Sequence, residues 1–226
     1  LQLATRRAFL RADGFGLGSL ALADLLAADE RAPLLPHFAP RARRVLYLHI
    51  PAAWVTVLAL AWSMLHSALY LAKRRMENDH HAVGAAEIGL IFCVAATVSG
   101  SLWAKSMWGS YWNWDPRETS IFFLLLVYGA YLALRAAIED PARRARLSAI
   151  YSVIAFVAVP FLIFVVPRIY YTLHPDPLIN PQGKIDMDPR IRTTFFAMLA
   201  GMTGVFFWML NQRVRVARFE ARAGDA

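Results

Sequence analysis

Cysteine is almost absent from this chain: Cys93 is the single one among 226 residues, so no disulfide can form within it. No Cys-x-x-Cys-His run occurs either, which excludes covalent attachment of haem to the chain itself. Cys93 lies in an apolar stretch and reads as a small buried hydrophobe. Charge is scarce too: 18% of residues are charged against 58% hydrophobic, too little to solvate a globule. That balance describes a polytopic membrane protein. Acidic residues are the scarcer sign, 16 against 24 basic, for a net charge of +8. The basic excess falls in short loops between apolar stretches, and no basic groove interleaved with aromatics is visible, so nucleic acid is not an expected partner. A Gly-x-x-x-x-Gly-Lys-Ser/Thr loop is missing as well, so any ATP hydrolysis would belong to a partner subunit. There is no internal repeat.

What is present is a series of five stretches long enough to cross a bilayer as helices, which takes roughly 20 apolar residues. They lie near residues 50–72, 82–104, 119–138, 149–167 and 193–212, and the fold class expected is an all-α membrane bundle. Lys73, Arg74 and Arg75 end the first; Arg135 and then Arg143, Arg144 and Arg146 bracket the turn after the third; Arg213, Arg215 and Arg218 follow the fifth. The positive-inside rule puts these loops in the cytoplasm, with residues 213–226 as a basic tail. The other ends then face outward, although Arg168, Lys184, Arg190 and Arg192 fall on that side. Residues 1–44 differ in character. Arg6-Arg7 followed by a Gly/Ala/Leu stretch to Ala28 resembles a twin-arginine export leader, or a weak sixth span interrupted by Asp13 and Asp24.

Four of the seven tryptophans, Trp103, Trp108, Trp112 and Trp114, crowd the link between the second and third spans, with Tyr111 among them. An aromatic belt spreads its tryptophans over both interfaces. Concentration at one end instead offers a platform for a large, planar, apolar ligand, and haem is the leading candidate. Trp108 and Trp112 share a face if the segment is helical; Trp112 and Trp114 do if it is extended. Offset ring contacts contribute roughly 0.5–1.5 kcal/mol per pair beyond area burial.

Histidines sit at two other places where the chain reaches that end. His49 precedes Pro51, which fits the first turn of a helix, so His49 is expected just outside the first span. His174 precedes Pro175, and a residue before proline is pushed into extended backbone. Either alone reads as an interfacial polar residue; together they supply two imidazoles able to take both axial positions of haem iron. Asp115, Pro116 and Glu118 have the spacing of a capping box opening the third span. Arg117 is a candidate for a haem propionate through a forked contact, or is held by Asp115 or Glu118; Arg168 and Lys105 are weaker candidates. Ionisable residues inside spans suggest function or structural pairing. His66 and Glu87 fall at similar depth and are expected to pair, as structural glue or an inner haem contact. His37, His80 and His81 are expected to be solvated.

The stretch Trp108-Gly-Ser-Tyr-Trp112-Asn-Trp114-Asp115 resembles the haem-handling superfamily, whose signature is W-G-x-x-W-x-W-D. With His49-Ile-Pro-Ala-Ala-Trp54, Trp103-Ala-Lys-Ser-Met-Trp108 and Leu173-His174-Pro175, residues 45 to 212 are similar to the haem exporter protein C family, CcmC, of c-type cytochrome maturation. The resemblance implies a six-span protein of the bacterial inner membrane. It implies haem b held by His49 and His174 at the periplasmic face, with the tryptophan loop presenting it to the haem chaperone CcmE. It also implies ABC-type partners CcmA and CcmB and a small membrane subunit, CcmD, in a membrane-lipid setting, and a transfer device rather than an enzyme. Where the family begins with a full first span, this chain carries the leader-like stretch. The rival readings are a CcsA-type cytochrome c synthase, which attaches haem to thiols, and an electron-transfer cytochrome, which would bury histidine pairs within the bilayer.

Overall fold

The computed structural model describes residues 40–174 and 189–224. The leader-like stretch, its candidate sixth span and His37 lie outside the described residues. Contacts divide the chain into residues 1–44 and 45–226; the following concerns the second unit. Its elements are α1 (Pro40–Lys73), α2 (Met76–Trp108), α3 (Pro116–Ala136), α4 (Pro141–Pro160), a π-helical turn (Phe161–Val165), α5 (Val166–Ile169) and α6 (Pro189–Gly224). Five stretches are long and apolar enough to cross a membrane: Tyr47–Lys73, Met76–Trp108, Pro116–Ala136, Pro141–Ile169 and Arg192–Ala223. No strand occurs among the described residues. All five expected spans are present, most of them longer at the ends.

The helix boundaries follow local chemistry. Asp115 caps α3 by accepting from the Arg117 N–H at 2.9 Å, Glu118 reaches back to the Asp115 N–H, and Pro116 sits at the first helical position, as the capping-box spacing predicts. Gly109 closes α2 at φ 77°, its N–H donating to the Lys105 carbonyl, a left-handed cap that glycine adopts without a Cβ penalty. Pro51 breaks the expectation. It lies inside α1, so His49 is on the helix rather than before it. The chain upstream continues helically, and a proline there both forgoes the hydrogen bond it cannot donate and crowds the carbonyl four residues back. Pro160 ends α4, and the backbone passes through the π-helical turn before Pro167. Such a turn re-registers a helix around a missing donor, and here it brings Leu162, Ile163 and Phe164 onto the site described below.

Helix α2 is the centre of the bundle. With α1 and α6 it buries Val55, Ala59, Ala85, Ile88, Phe206 and Leu210; with α1, α3 and α4 it buries Leu60, Ala86, Cys93, Leu124, Tyr128, Tyr131 and Val159. Its outer stripe, Ile91, Val94, Val98 and Leu102, is about half exposed. That apolar stripe at helical spacing suits lipid, since a bilayer rather than water would cover it.

Acids near the α1–α2 link are paired. Arg135 forks onto Asp79 at 2.7 and 2.9 Å, Arg213 onto Glu87 at 2.7 and 3.2 Å, and Arg218 onto Glu77. The expected His66–Glu87 pair does not form. His66 bonds Asn78 at 3.2 Å and stacks on His81, rings 4.6 Å apart. A guanidinium arriving from α6 gives Glu87 a permanent charge and a matching fork, which an imidazole cannot offer. His80 and His81 are half-buried rather than solvated, and the Nδ1 of each is buried without a hydrogen-bond partner. The stretch from residue 213, expected as a tail, continues α6 to Gly224 and is tied to α2 by Arg213 and Arg218. A double-mutant cycle on thermal unfolding in detergent should give a coupling of about 1 kcal/mol between Glu87 and Arg213, and none between Glu87 and His66.

Candidate functional site

At the opposite end of the bundle a cavity of about 370 Å³ opens between α1, α2, α3 and the π-helical turn. Apolar walls from Ile50, Trp54, Val57, Trp103, Trp112 and Phe164 surround a few polar groups, chiefly His49, His174, Arg117 and Arg168. Such a volume and such a mix are typical of a small-molecule site.

His49 reaches it from α1. Positions 49, 50, 53, 54 and 57 all face the cavity, the spacing of one helical face. The His49 Nδ1 lies 2.8 Å from the Ala96 carbonyl. A carbonyl only accepts, so Nδ1 carries the proton and donates it. Nε2 then holds the free lone pair, and no described residue bonds it. The ring lies against Gly100: a Cβ built there would stand 2.8 Å from His49 Cε1 and 3.2 Å from Nδ1. Gly100 is therefore the floor of the histidine's seat, and only glycine leaves room for it.

His174 reaches the cavity from the segment after α5. Its Nδ1 lies 2.9 Å from Asp115 Oδ1. Asp115 also accepts from the Leu173 N–H at 2.6 Å and from the Thr172 hydroxyl, 2.9 and 2.8 Å from its two oxygens. Burial pushes the Asp115 carboxyl up, but the Arg117 and Leu173 N–H groups and the Thr172 hydroxyl outweigh it, and the net shift is downward. Burial likewise pulls His174 down, against the pull of Asp115, to about 4. At neutral pH the pair is thus a carboxylate and a neutral imidazole. The proton sits on Nδ1, and Nε2 is again left as the available donor atom. Both histidines are held in one tautomer by a partner behind them, the arrangement that aims imidazole at a metal.

The aromatic residues divide into two groups. Trp103, buried at 5% exposure, and Trp108 pack edge to face at 4.9 Å, and both contact the His174 ring, at 5.8 and 4.9 Å. Trp112 and Trp114 form a second edge-to-face pair at 5.7 Å, and Trp114 also meets Phe122. Trp114 is 67% exposed with φ at 56°, unusual for a bulky residue. The turn around it is fixed by Glu118, which accepts from the Asn113 and Asp115 N–H groups at 2.7 and 3.3 Å, and by the Thr119 hydroxyl donating to the Trp114 carbonyl. The expected flat platform is thus a box behind His174 and a second pair, of which Trp112 lines the cavity and Trp114 is exposed.

Of the residues singled out from sequence, His49, His174, Trp103, Trp112, Arg117 and Glu118 come together on the cavity wall. Trp108 backs His174, Tyr111 and Trp114 face outward, and Asp115 is buried at 4% with its oxygens spent on protein donors. Asp115 thus orients a histidine instead of touching a ligand. Lys105 is turned to the Gly109 carbonyl and the Tyr111 ring, while Arg168 lines the cavity and donates to the Phe164 carbonyl. His66 and Glu87 lie outside it. Sequence reasoning missed Gly100, Ala96 and Thr172, which carry no chemistry of their own. It also missed Trp54 as a wall, although its spacing from His49 would have shown it had α1 been started earlier.

The model of the family described as Heme exporter protein C matches residues 38–225. The chain belongs to that family. A Heme exporter protein C of Bradyrhizobium diazoefficiens is 32% identical over 163 residues, 72% of this chain and 62% of that protein. One of Rhodobacter capsulatus is 35% identical over 114 residues, 50% of this chain and 47% of that protein. One of Escherichia coli K12 is 35% identical over 151 residues, 66% of this chain and 60% of that protein. The matched stretch spans less than two thirds of these curated relatives. Every cavity residue lies within the residues that the Heme exporter protein C model matches.

Proposed function

We propose that this protein receives haem b as cargo, holds it between His49 and His174, and passes it to a haem chaperone of the CcmE kind during c-type cytochrome maturation. The observation that carries the reading is the pair of Nε2 donors on one aromatic-walled cavity, each with its Nδ1 proton already engaged. Neutral imidazole is the usual protein ligand of haem iron. Arg117 and Arg168 on the same wall are the cations for the propionates. The names of the relatives, heme exporters, point to the same cargo.

Basic loops at the other end support, by the positive-inside rule, a cavity that faces the periplasm from the inner membrane. Exposed Tyr111, Trp114, Phe122 and Phe123 beside the cavity mouth are the surface on which the chaperone docks. CcmA and CcmB supply ATP hydrolysis, and CcmD completes the membrane complex. The protein works by transfer rather than catalysis. Two ligands whose bonds to iron are individually displaceable allow the cargo to leave one histidine at a time.

The test is the oxidised and reduced absorption spectrum of the detergent-purified chain, co-expressed with its chaperone partner, beside His49→Ala and His174→Ala. Each single variant should keep haem with a shifted Soret band, and the double variant should lose it. A wild type that carries no haem overturns the proposal.

A further inference from the structure

The end of the bundle remote from His49 and His174 holds a second hollow, of about 490 Å³, lined by Tyr70, Arg74, Met76, Ala142, Arg143 and Arg146. Three arginines from two separate segments, all exposed, line it. Among the described residues none of them has a carboxylate partner, whereas the nearby Arg135, Arg213 and Arg218 each hold one. The adjacent acid, Asp140, caps α4 by accepting from the Arg143 N–H at 2.6 Å. Topology alone asks for basic residues in a loop; it does not ask for three lining one hollow.

Two further observations fix the ligand's chemistry. Arg74 has φ at 54°, and its N–H closes α1 on the Tyr70 carbonyl at 2.8 Å. Glycine normally fills that left-handed cap, so a side chain has been kept there against roughly 1 kcal/mol of strain. Below Arg143 and Arg146, on the same face of α4, Leu147, Ile150 and Ile154 are exposed at 36, 38 and 67%. A cationic hollow where the membrane-spanning stretches Tyr47–Lys73 and Pro141–Ile169 meet the interface, continued by an apolar track, matches a headgroup with its acyl chains.

We infer that Arg74, Arg143 and Arg146 bind the phosphate of one anionic glycerophospholipid, whose chains lie along α4. Native mass spectrometry of the full chain in non-ionic detergent tests this by titration with phosphatidylglycerol, phosphatidylcholine and inorganic phosphate. One phosphatidylglycerol should bind per chain, about thirty-fold more weakly in Arg143→Ala/Arg146→Ala and unchanged in Arg215→Ala/Arg222→Ala. Arg74→Gly should also weaken it while raising the melting temperature, because glycine relieves the cap; that variant separates lost binding from lost folding. Full competition by inorganic phosphate would keep the anion site and reject the lipid. Equal binding of phosphatidylcholine, or undiminished phosphatidylglycerol binding in the arginine variants, overturns the inference.

Discussion

Gly100→Val should abolish normal haem capture while leaving the helices folded. A Cβ at position 100 would stand 2.8 Å from His49 Cε1, closer than real Cβ atoms approach, and 3.2 Å from Nδ1. The neighbour that must yield is an imidazole pinned between α1 and α2 by its bond to the Ala96 carbonyl. Moving the ring breaks that bond, frees the tautomer and carries Nε2 off its line into the cavity. Valine adds two methyl groups where the cargo would lie. Losing the support behind a metal-binding histidine costs about 10–100-fold in affinity, and the steric block adds to it. Gly100→Ala should give a graded version of the same loss. Alanine at a helical position favours the helix by about 1 kcal/mol over glycine, so circular dichroism should show an intact helical protein with a weakened Soret band. Gly129→Ala, where nothing lies within 4 Å of the added carbon, should bind haem as the wild type does. A full-strength, unshifted Soret band in Gly100→Val would remove His49 from the site.

That seat shows where sequence reading stops. The five spans were legible because length and hydropathy are properties of the chain itself, and the α3 cap was legible because its residues lie three apart. His49 and His174 stood out because imidazole is rare and both fall at span ends. Gly100 and Ala96 gave no signal, since a missing Cβ and a backbone carbonyl matter only once another helix is packed on them. The start of α1 was misjudged because Pro51 suits a first turn, and only the upstream helix shows that it sits within one. Glu87 had one visible partner at matching depth, His66, and one far along the chain, Arg213; distance in sequence hid the better one. Asp115 was half read. Its local role as a cap follows from spacing, but its hold on Thr172, Leu173 and His174 spans more than fifty residues.

The double duty of Asp115 makes Asp115→Asn the more damaging of two conservative changes in the loop. Four donors converge on this carboxylate: the N–H groups of Arg117 and Leu173, the Thr172 hydroxyl and His174 Nδ1, while Glu118 completes the capping box by accepting from the Asp115 N–H. Asparagine replaces one acceptor oxygen with an amide that donates, so at least one of those donors meets another donor in a buried place. Each lost bond to a charged acceptor costs about 1.5–3 kcal/mol, and the 172–174 segment should swing away from α3. Glu118→Gln keeps an acceptor oxygen at its position and should disturb haem binding far less. The pH dependence separates displacement from simple weakening. In the wild type, burial holds His174 near 4, well under its ordinary value of about 6.5. The unfolded chain therefore takes up this proton between about 6.5 and 4 while the folded one does not, so stability falls as the pH drops through that window and is fully present above it. In the haem-free fold Nε2 stays available as a ligand down to about pH 4. Once Asp115→Asn releases the segment, His174 is solvated and titrates near its ordinary value, so the midpoint for haem release should rise by up to about two pH units. Haem release followed by the Soret band from pH 7 to 4 reads that midpoint directly. An unchanged midpoint in Asp115→Asn would mean that His174 is held by its tryptophan neighbours, Trp103 and Trp108, and that Asp115 only caps the helix.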